Sequence, residues 1–490
     1  MRRLAIVLHA HVPYVRRNGV WPAGEDLFHQ VAFESYLPLL GVFERLADRG
    51  LHGVCTVGIT PVLAHQMQDA HMRRELESYL GRVELRAMRQ VANYKGLHAD
   101  AVKDLAARYA IDGREAAARL RSPTGGLAGA FGRLEQAGLI EILAGPATHP
   151  LLPFVSSPRL RAAQIETGFA EHERIFGRRP EGMWIPECAV APEVELSLAV
   201  RGVGYAVVDP AAVGSVPAFA GETGMLLLPR DRALTAAVWS PGGYPSGEWY
   251  RDFQHYDVVG GFKNWRVTAR DASLGDKQPY EPEAAAAAAR RDAAAFTAAV
   301  ERRFDQTEST ALVVALDAEL LGHWWFEGPV WLETLLSLLA QHPAIAPVTL
   351  GEVARAAGDA PHRPVSPSSW GAGSDFRNWR SPATESLFRR QADAESRAAA
   401  WLDREGAVRD QLLRELMLLQ SSDWPYMIAR DENAQYAQER FEAHANRFES
   451  LAAAAEADTG GGAGGRAAGE AAALLEIDNC FAALPAPHDT

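Results

Sequence analysis

Short apolar runs that each stop at a polar side chain set the strongest limit on how this chain folds. Leu4–Leu8 stops at His9, Tyr205–Val208 at Asp209, and Leu312–Leu316 at Asp317. Gly53–Val57 leads into a Gly-Ile-Thr-Pro turn, Ile140–Leu143 into Gly145-Pro146, and Met183–Pro186 into Glu187. Runs this short, rich in Val, Ile and Leu, fit strands buried on both faces, which are parallel strands covered by helices. Stretches with helical spacing lie between them: Phe33–Arg49, Pro158–Phe176 and Val330–His342. Such alternation implies an α/β fold. An open doubly wound sheet and a closed barrel both satisfy it. Polar residues at the exits of several different strands favour the barrel, which gathers its chemistry there.

Two regions break the rhythm. From His65 to Glu135 the chain is rich in helix formers and has no convincing strand, so a helical insertion is expected at about 65–135. Glu283–Phe304 is an alanine-rich helix of the scaffold. After a Pro/Ser/Gly loop beginning at Pro361, the residues from Glu385 to about Ala455 are helical in character. The expected division is a catalytic barrel over 1–360, a C-terminal all-helical domain over 361–455, and a Gly/Ala-rich linker and tail over 456–490. DTGGGAGGRAAG in that tail has no following Gly-Lys-Ser/Thr and is no phosphate loop, whereas Ala471–Leu484 can dock as a short helix.

A length of 490 residues with 48% hydrophobic and 23% charged residues is globular and excludes wholesale disorder. The net charge of −13 argues against a coat on nucleic acid or on an anionic membrane, while leaving a neutral partner open. The three cysteines, Cys55, Cys188 and Cys480, form no CxxC pair and suit a reducing compartment. MRRLAIVLHAHVP is too short in its apolar run for an export signal, and no window is long enough to span a membrane. A soluble cytoplasmic protein is the expectation.

Two acids at strand exits beside aromatic rings are the sharpest chemical feature. Glu187 follows Trp184-Ile185-Pro186, and Asp317 precedes Glu319, His323, Trp324 and Trp325. Carboxyls in unlike, partly desolvated settings can divide into nucleophile and general acid, as glycoside hydrolysis requires; they can equally cap helices or pair with arginines. His9 and His11 alternate onto one face at the end of the first strand, and His149 follows another strand. These histidines can bind a metal, orient a sugar hydroxyl or be structural. Tryptophans gather in loops, among them Trp239, Trp249, Trp265, Trp370 and Trp379, where an indole can form a platform for a sugar face or pin the loop down.

The segments VLHAHVPYVR, THPLLP, WIPECA, ALDAELLGHWWFEGP, SSWGAGSDFRNW and SSDWPYMIARDENAQYAQERFEAHANRF, in that order, resemble the branching enzymes of glycoside hydrolase family 57. The resemblance runs to about Phe448. It implies a (β/α)7 barrel with a helical insertion and a helical C-terminal domain that closes the cleft. It also implies a retaining mechanism without metal or organic cofactor, acting on an α-1,4-glucan donor and acceptor. The family's nucleophile falls on Glu187 and its acid/base on Asp317, with His9, His11 and His149 at the substrate. Cleft tryptophans fall on Trp21, Trp265, Trp370 and Trp379, and the motif closing the cleft on Asp423 and Trp424.

In that scheme Glu187 attacks the anomeric carbon while Asp317 protonates the leaving oxygen. A glucan 6-hydroxyl then gives an α-1,6 branch, and water gives hydrolysis. Family members carry a flexible loop with a tyrosine near its tip; VWSPGGYPSGEWYRDF is the corresponding stretch, with Tyr244 as the tip. Its compactness shifts the balance toward hydrolysis. Val190 stands where the family often has an aromatic residue. The rival readings are an α-1,4-glucan hydrolase or 4-α-glucanotransferase on the same scaffold, a metal-dependent polysaccharide deacetylase, and a non-catalytic glycan-binding protein.

Overall fold

The computed structural model describes residues 1–21, 23–121, 126–214, 218–269, 271–458 and 465–485. The strands are β1 (Arg2–Ala10), β2 (Cys55–Ile59), β3 (Ile140–Leu143), β4 (Gly182–Met183), β5 (Tyr205–Val208), β6 (Phe219–Ala220), β7 (Leu226–Pro229), β8 (Ala311–Asp317) and β9 (Ile345–Val348). One sheet has the parallel order β3-β2-β1-β8, and β9 pairs with the first residues of β1. The other sheet has β4, β5 and β7 parallel, with β6 antiparallel on β7.

Two single contacts join the sheets. Ala144 and Met183 form an isolated parallel bridge, and the Asp231 N–H donates to the Val313 carbonyl at 2.7 Å. β1, β2, β3, β4, β5, β7 and β8 therefore follow one another in chain order, with the first strand beside the last. A doubly wound sheet would reverse its order partway. This is a seven-stranded parallel barrel.

Residue parity divides the strands between two apolar layers. Leu4, Ile6, Leu8, Val314 and Leu316 pack outward against the helices. Ala5, Val7, Ala311, Val313 and Ala315 fill the interior together with Leu143, Trp184 and Val207. Alanine and valine dominate the inward positions of β1 and β8, as the narrow bore of a seven-membered ring requires. The same parity carries His9 and Asp317, which are register partners, to the interior side at the barrel mouth.

Helices Pro61–Gln68, Ala70–Asn93, Ala99–Leu120 and Gly126–Gln136 fill the space between β2 and β3, where the insertion was expected. Asp69 starts the second of them by accepting from the His71 and Met72 N–H groups. Some boundaries differ from the sequence expectation. Of the expected strand Met183–Pro186 only Met183 pairs, as the last residue of β4, and Pro186 opens a turn. The expected helix Phe33–Arg49 is longer, running from Glu25 to Asp48 through a π-turn at Ala32–Tyr36.

The C-terminal helical stretch is broken into Glu385–Ala398, Ala407–Leu419, Asp423–Ala429 and Ala434–Ala457. Gly406 and Asn433, both at positive φ, interrupt it. Most of the expected Gly-rich linker, residues 459–464, lies outside the described residues. Beyond it, Arg466–Leu475 is helical and the next residues form an extended strap instead of continuing the helix. Tyr14 donates to the Ile477 carbonyl at 3.1 Å, and Arg414 Nη2 donates to that of Phe481 at 3.1 Å. Buried Asp478 accepts from Asn18 at 3.0 Å and from Arg447 at 2.5 Å. The strap thus ties the loop after β1 to the C-terminal helices.

Candidate active site

Seven strand exits converge on one mouth, and the site is built from what each delivers. β1 delivers His9 and, just beyond it, His11. Burial in this apolar ring lowers the His9 and His149 pKa values well below the usual imidazole range, with the nearby His11 charge adding to it. His9 Nε2 lies 2.9 Å from His149 Nε2, so one nitrogen must carry the proton and the other must accept. His149 Nδ1 lies 2.9 Å from Ser422 Oγ, which donates to Glu187 Oε1 at 3.1 Å. With Glu187 ionised, that hydroxyl proton goes to the carboxylate, Ser422 accepts from His149 Nδ1–H, and His149 Nε2 accepts from His9. The hydrogen bonds run one way, from His9 through His149 and Ser422 to Glu187. His9 also stacks on Trp184 at 4.4 Å between centroids.

Glu187 stands in a strained turn. Its φ of 60° and the 48° of Cys188 lie in the left-handed region, which costs non-glycine residues about 1–3 kcal/mol each. The 368–370 segment holds the turn in place. Val190 and Ser368 exchange backbone hydrogen bonds, and the Trp370 N–H donates to the Glu187 carbonyl at 2.8 Å. The Trp370 indole then donates to Glu187 Oε2 at 2.6 Å. Both carboxyl oxygens therefore have a fixed donor. Val190, at the position expected to be aromatic, is fully buried and serves this clamp.

Asp317 ends β8. It makes no capping bond to the turn that follows, and neither it nor Glu187 has an arginine or lysine ion pair among the described residues. Burial raises Asp317 to about 6, against the pull of His11 and Arg230. Burial raises Glu187 to about 8, opposed by the Trp370 hydrogen bond and reinforced by the charges of Asp317 and Asp423. Glu319 Oε1 accepts from the His11 N–H at 3.0 Å and from the Tyr36 hydroxyl; burial and then the Asp317 charge raise it to about 8. Burial would raise Asp423 too, but its 2.9 Å contact with His11 Nε2 brings it down to about 2.

The structure brings together His9, His11, His149, Glu187, Asp317, Trp370 and Asp423. Other expected residues lie elsewhere. Trp21 is 75% exposed on the loop after β1. Trp265 is buried against Tyr94 and Val102 of the insertion. Trp379 fills a layer behind Trp370 with Leu151 and Ala189, and Trp424 is a core residue that donates to the Leu418 carbonyl at 2.8 Å. Tyr244 is not a loop tip: its ring packs against Phe296, Trp325 and Trp331, where aromatic burial outweighs exposure over the cleft.

Ser422, Thr60, Glu319, Asp209 and Arg230 were missed as site residues. Thr60 lies 3.0 Å from His11 Nδ1, and Arg230 pairs with buried Asp209 at 2.8 Å. Thr60, Asp209 and Arg230 stand at strand exits, the signal used for Glu187 and Asp317, and could have been found by it. Ser422 had no signal beyond its neighbour Asp423.

Among the described residues, two groups have metal-ligand chemistry. In His11, His149 and Asp423 the two imidazoles stack nearly parallel at 3.9 Å, so their nitrogens do not converge, and each nitrogen is engaged in the contacts above. In Glu415, His444 and Asp478 the ligand atoms are already taken: Arg447 binds Asp478, His444 Nδ1 lies 2.8 Å from Glu415, and Arg440 donates to His444 Nε2 at 2.7 Å. Neither donor set suits an ion.

Residues 5–365 match the profile described as glycosyl hydrolase family 57, and residues 384–485 match that of the 1,4-alpha-glucan branching enzyme C-terminal region. A probable 1,4-alpha-glucan branching enzyme of Mycobacterium tuberculosis is 34% identical over 490 residues, covering 92% of this chain and 91% of its own. A GH57-type branching enzyme from Pyrococcus horikoshii is similar in structure, with a TM-score of 0.92, 29% identity, and coverage of 100% of this chain and 98% of its own. An alpha-amylase from Thermotoga maritima gives 0.85 at 26% identity, covering 98% of both chains.

Proposed function

The chain belongs to glycosyl hydrolase family 57, and from that premise we propose that it is a retaining α-1,4-glucan branching enzyme with Glu187 as nucleophile and Asp317 as acid/base. The observation that carries the assignment of roles is the pair of donors on Glu187. Trp370 and Ser422 hold its two oxygens, orienting a carboxylate for attack and stabilising its charge. Among the described residues Asp317 has no such donors, which leaves it free to protonate a glycosidic oxygen.

The pair interacts, and with values of about 8 and about 6 it keeps one proton at neutral pH. In the empty cleft that proton rests on Glu187, whereas attack requires it on Asp317. Bound glucan reverses the order by placing an acceptor oxygen at Asp317, while the indole and hydroxyl donors stabilise the charge left on Glu187. Glu187 then bonds to the anomeric carbon as Asp317 gives its proton to the departing chain. The resulting Asp317 carboxylate takes a proton from an acceptor 6-hydroxyl, which attacks the glucosyl-enzyme and forms the α-1,6 bond. His9, His11, His149 and Asp423 line the same mouth with imidazole and carboxylate groups suited to sugar hydroxyls.

Incubation with amylose tests this reading. Branch points should form with few new reducing ends; reducing ends accumulating without α-1,6 linkages would overturn it. Hydrolysis is the second reading, and the packing of Tyr244 against aromatic core residues favours it, since no tyrosine tip then excludes water from the glucosyl-enzyme. Metal-dependent deacetylation is disfavoured by the parallel imidazoles; activity surviving exhaustive chelation would eliminate it. The division into a barrel over 1–360, a helical domain over 361–455 and a tail is part of the proposal. So is a cytoplasmic location, supported by three buried free thiols and, among the described residues, no helix long and apolar enough to cross a membrane.

A further inference from the structure

Away from the mouth, a cavity of ≈150 Å³ lies between the Glu25–Tyr36 helical stretch, the Ala70–Asn93 helix and the 256–263 loop. None of the residues gathered around Glu187 and Asp317 lines it. Its floor is nevertheless fixed to the segment that follows Asp317. Glu34 binds His323 Nδ1 at 2.6 Å and Lys263 Nζ at 3.0 Å, and Lys263 also donates to the His323 carbonyl at 3.3 Å. Gly322 touches the same turn so closely that a Cβ there would meet the Glu34 carbonyl oxygen at 2.0 Å.

The lining has the chemistry of a sugar site. Tyr256 is 47% exposed and presents an aromatic surface at the rim, and Tyr109 stacks on Phe262 at 4.3 Å to form a rigid back wall. Between them stand planar donors and acceptors: Gln30, Arg86 and the Glu34 carboxylate. Lys263 cancels Glu34, and Arg82 and Arg86 against Asp26 leave a single positive charge in excess. A lining without strong net charge and with ring faces beside hydrogen-bonding groups suits a neutral polyol better than a polyanion or a cation. Gln90 lies against the same loop, buried with neither amide atom partnered, and a Cβ on Gly260 would meet its Oε1 at 2.3 Å.

From this arrangement we infer that the cavity is a second α-glucan-binding site, holding a sugar unit of a chain away from the point of cleavage and against the segment that carries Asp317. The inference rests on the α-glucan reading above and extends it to a surface outside the reacting centre. Such a site would tether long chains and leave short ones unaffected, because only a chain that reaches both places gains from the second contact.

The test uses the full chain carrying Glu187→Gln, so that maltoheptaose is bound and not consumed, and reads amide hydrogen exchange. Protection is expected at 184–190 and 317–325 and also at 79–86 and 256–263. Adding Tyr256→Ala should abolish the second pair and leave the first. In the otherwise unsubstituted enzyme, Tyr256→Ala should raise the KM for amylose at least about threefold with kcat within about twofold, and leave the KM for short maltooligosaccharides unchanged. Protection confined to 184–190 and 317–325 would overturn the second site, as would protection at 256–263 that survives Tyr256→Ala or that inorganic phosphate reproduces. No protection anywhere, with no turnover of amylose by the unsubstituted chain, would remove the glucan reading and the second site with it.

Discussion

Trp370 donates its indole N–H to Glu187 across 183 positions of sequence, at 2.6 Å, and the same residue's backbone N–H holds the Glu187 carbonyl. One tryptophan therefore fixes both the strained turn and the carboxylate it presents. Trp370→Phe keeps most of the ring and removes the side-chain bond. A charge-assisted hydrogen bond contributes about 1.5–3 kcal/mol, so kcat should fall roughly 10- to 100-fold. The alkaline limb of the kcat/KM profile should also move upward, because the lost donor favoured the ionised form of Glu187. Steady-state kinetics across pH checks both.

On the proposed roles, the carboxyl pair predicts a bell-shaped kcat/KM. Below about 6 both groups are protonated and no nucleophile is available; above about 8 both are ionised and no acid remains. The singly protonated pair is the active form, so the optimum falls between these values. A profile that keeps rising beyond pH 9 would show that no proton donor is lost there.

Glu187→Gln and Asp317→Asn should each lower turnover by about three orders of magnitude or more while glucan binding persists. Glu187→Gln should also stabilise the empty fold. A carboxyl raised from 4.5 to about 8 keeps in the folded state a proton that the unfolded chain has released, so folding stability falls as pH rises across that window. The gain in Tm on substitution should therefore grow with pH up to about 8. Thermal unfolding at pH 5 and pH 8 measures it.

Tyr244→Ala should cost about 2–4 kcal/mol of stability, since the ring packs among Phe296, Trp325 and Trp331. The ratio of branching to hydrolysis should not change. An altered ratio with an unchanged Tm would show that the ring reaches the cleft.

Asp478→Ala should leave Arg447 without its buried carboxylate partner and loosen the strap that crosses from the loop after β1 to the C-terminal helices. A broken buried pair costs about 3–5 kcal/mol, visible as a lowered Tm. Replacing Asp478 with Asn should restore part of the loss by keeping an acceptor for Asn18.

The barrel was legible in the order of residues because strand burial is a local pattern. Leu4–Leu8 and Leu312–Leu316 announce two-sided burial by composition alone, and the residue ending each run must emerge at the mouth by parity. His9, Glu187 and Asp317 were found that way, and the same rule read more strictly would have included Thr60, Asp209 and Arg230. The helix breaks at Gly406 and Asn433 and the strap after Leu475 were not legible, because what stops those helices is partly packing against segments distant in the chain.

Residue order alone sets most of the elements and the side chains each strand delivers, since periodicity and turn chemistry act over a few residues. Packing across the closed barrel decided which aromatic rings reach the carboxyl pair and which fill space. Trp370 and Trp379 share one loop and one composition, yet one donates to Glu187 and the other is buried behind it. It likewise decided that Ser422 links His149 to Glu187 and that Tyr244 turns into a core of aromatic rings. The physical reason is that hydrogen bonds and ring contacts depend on directions in space, and those directions exist only once the barrel has closed and the C-terminal helices have packed across it.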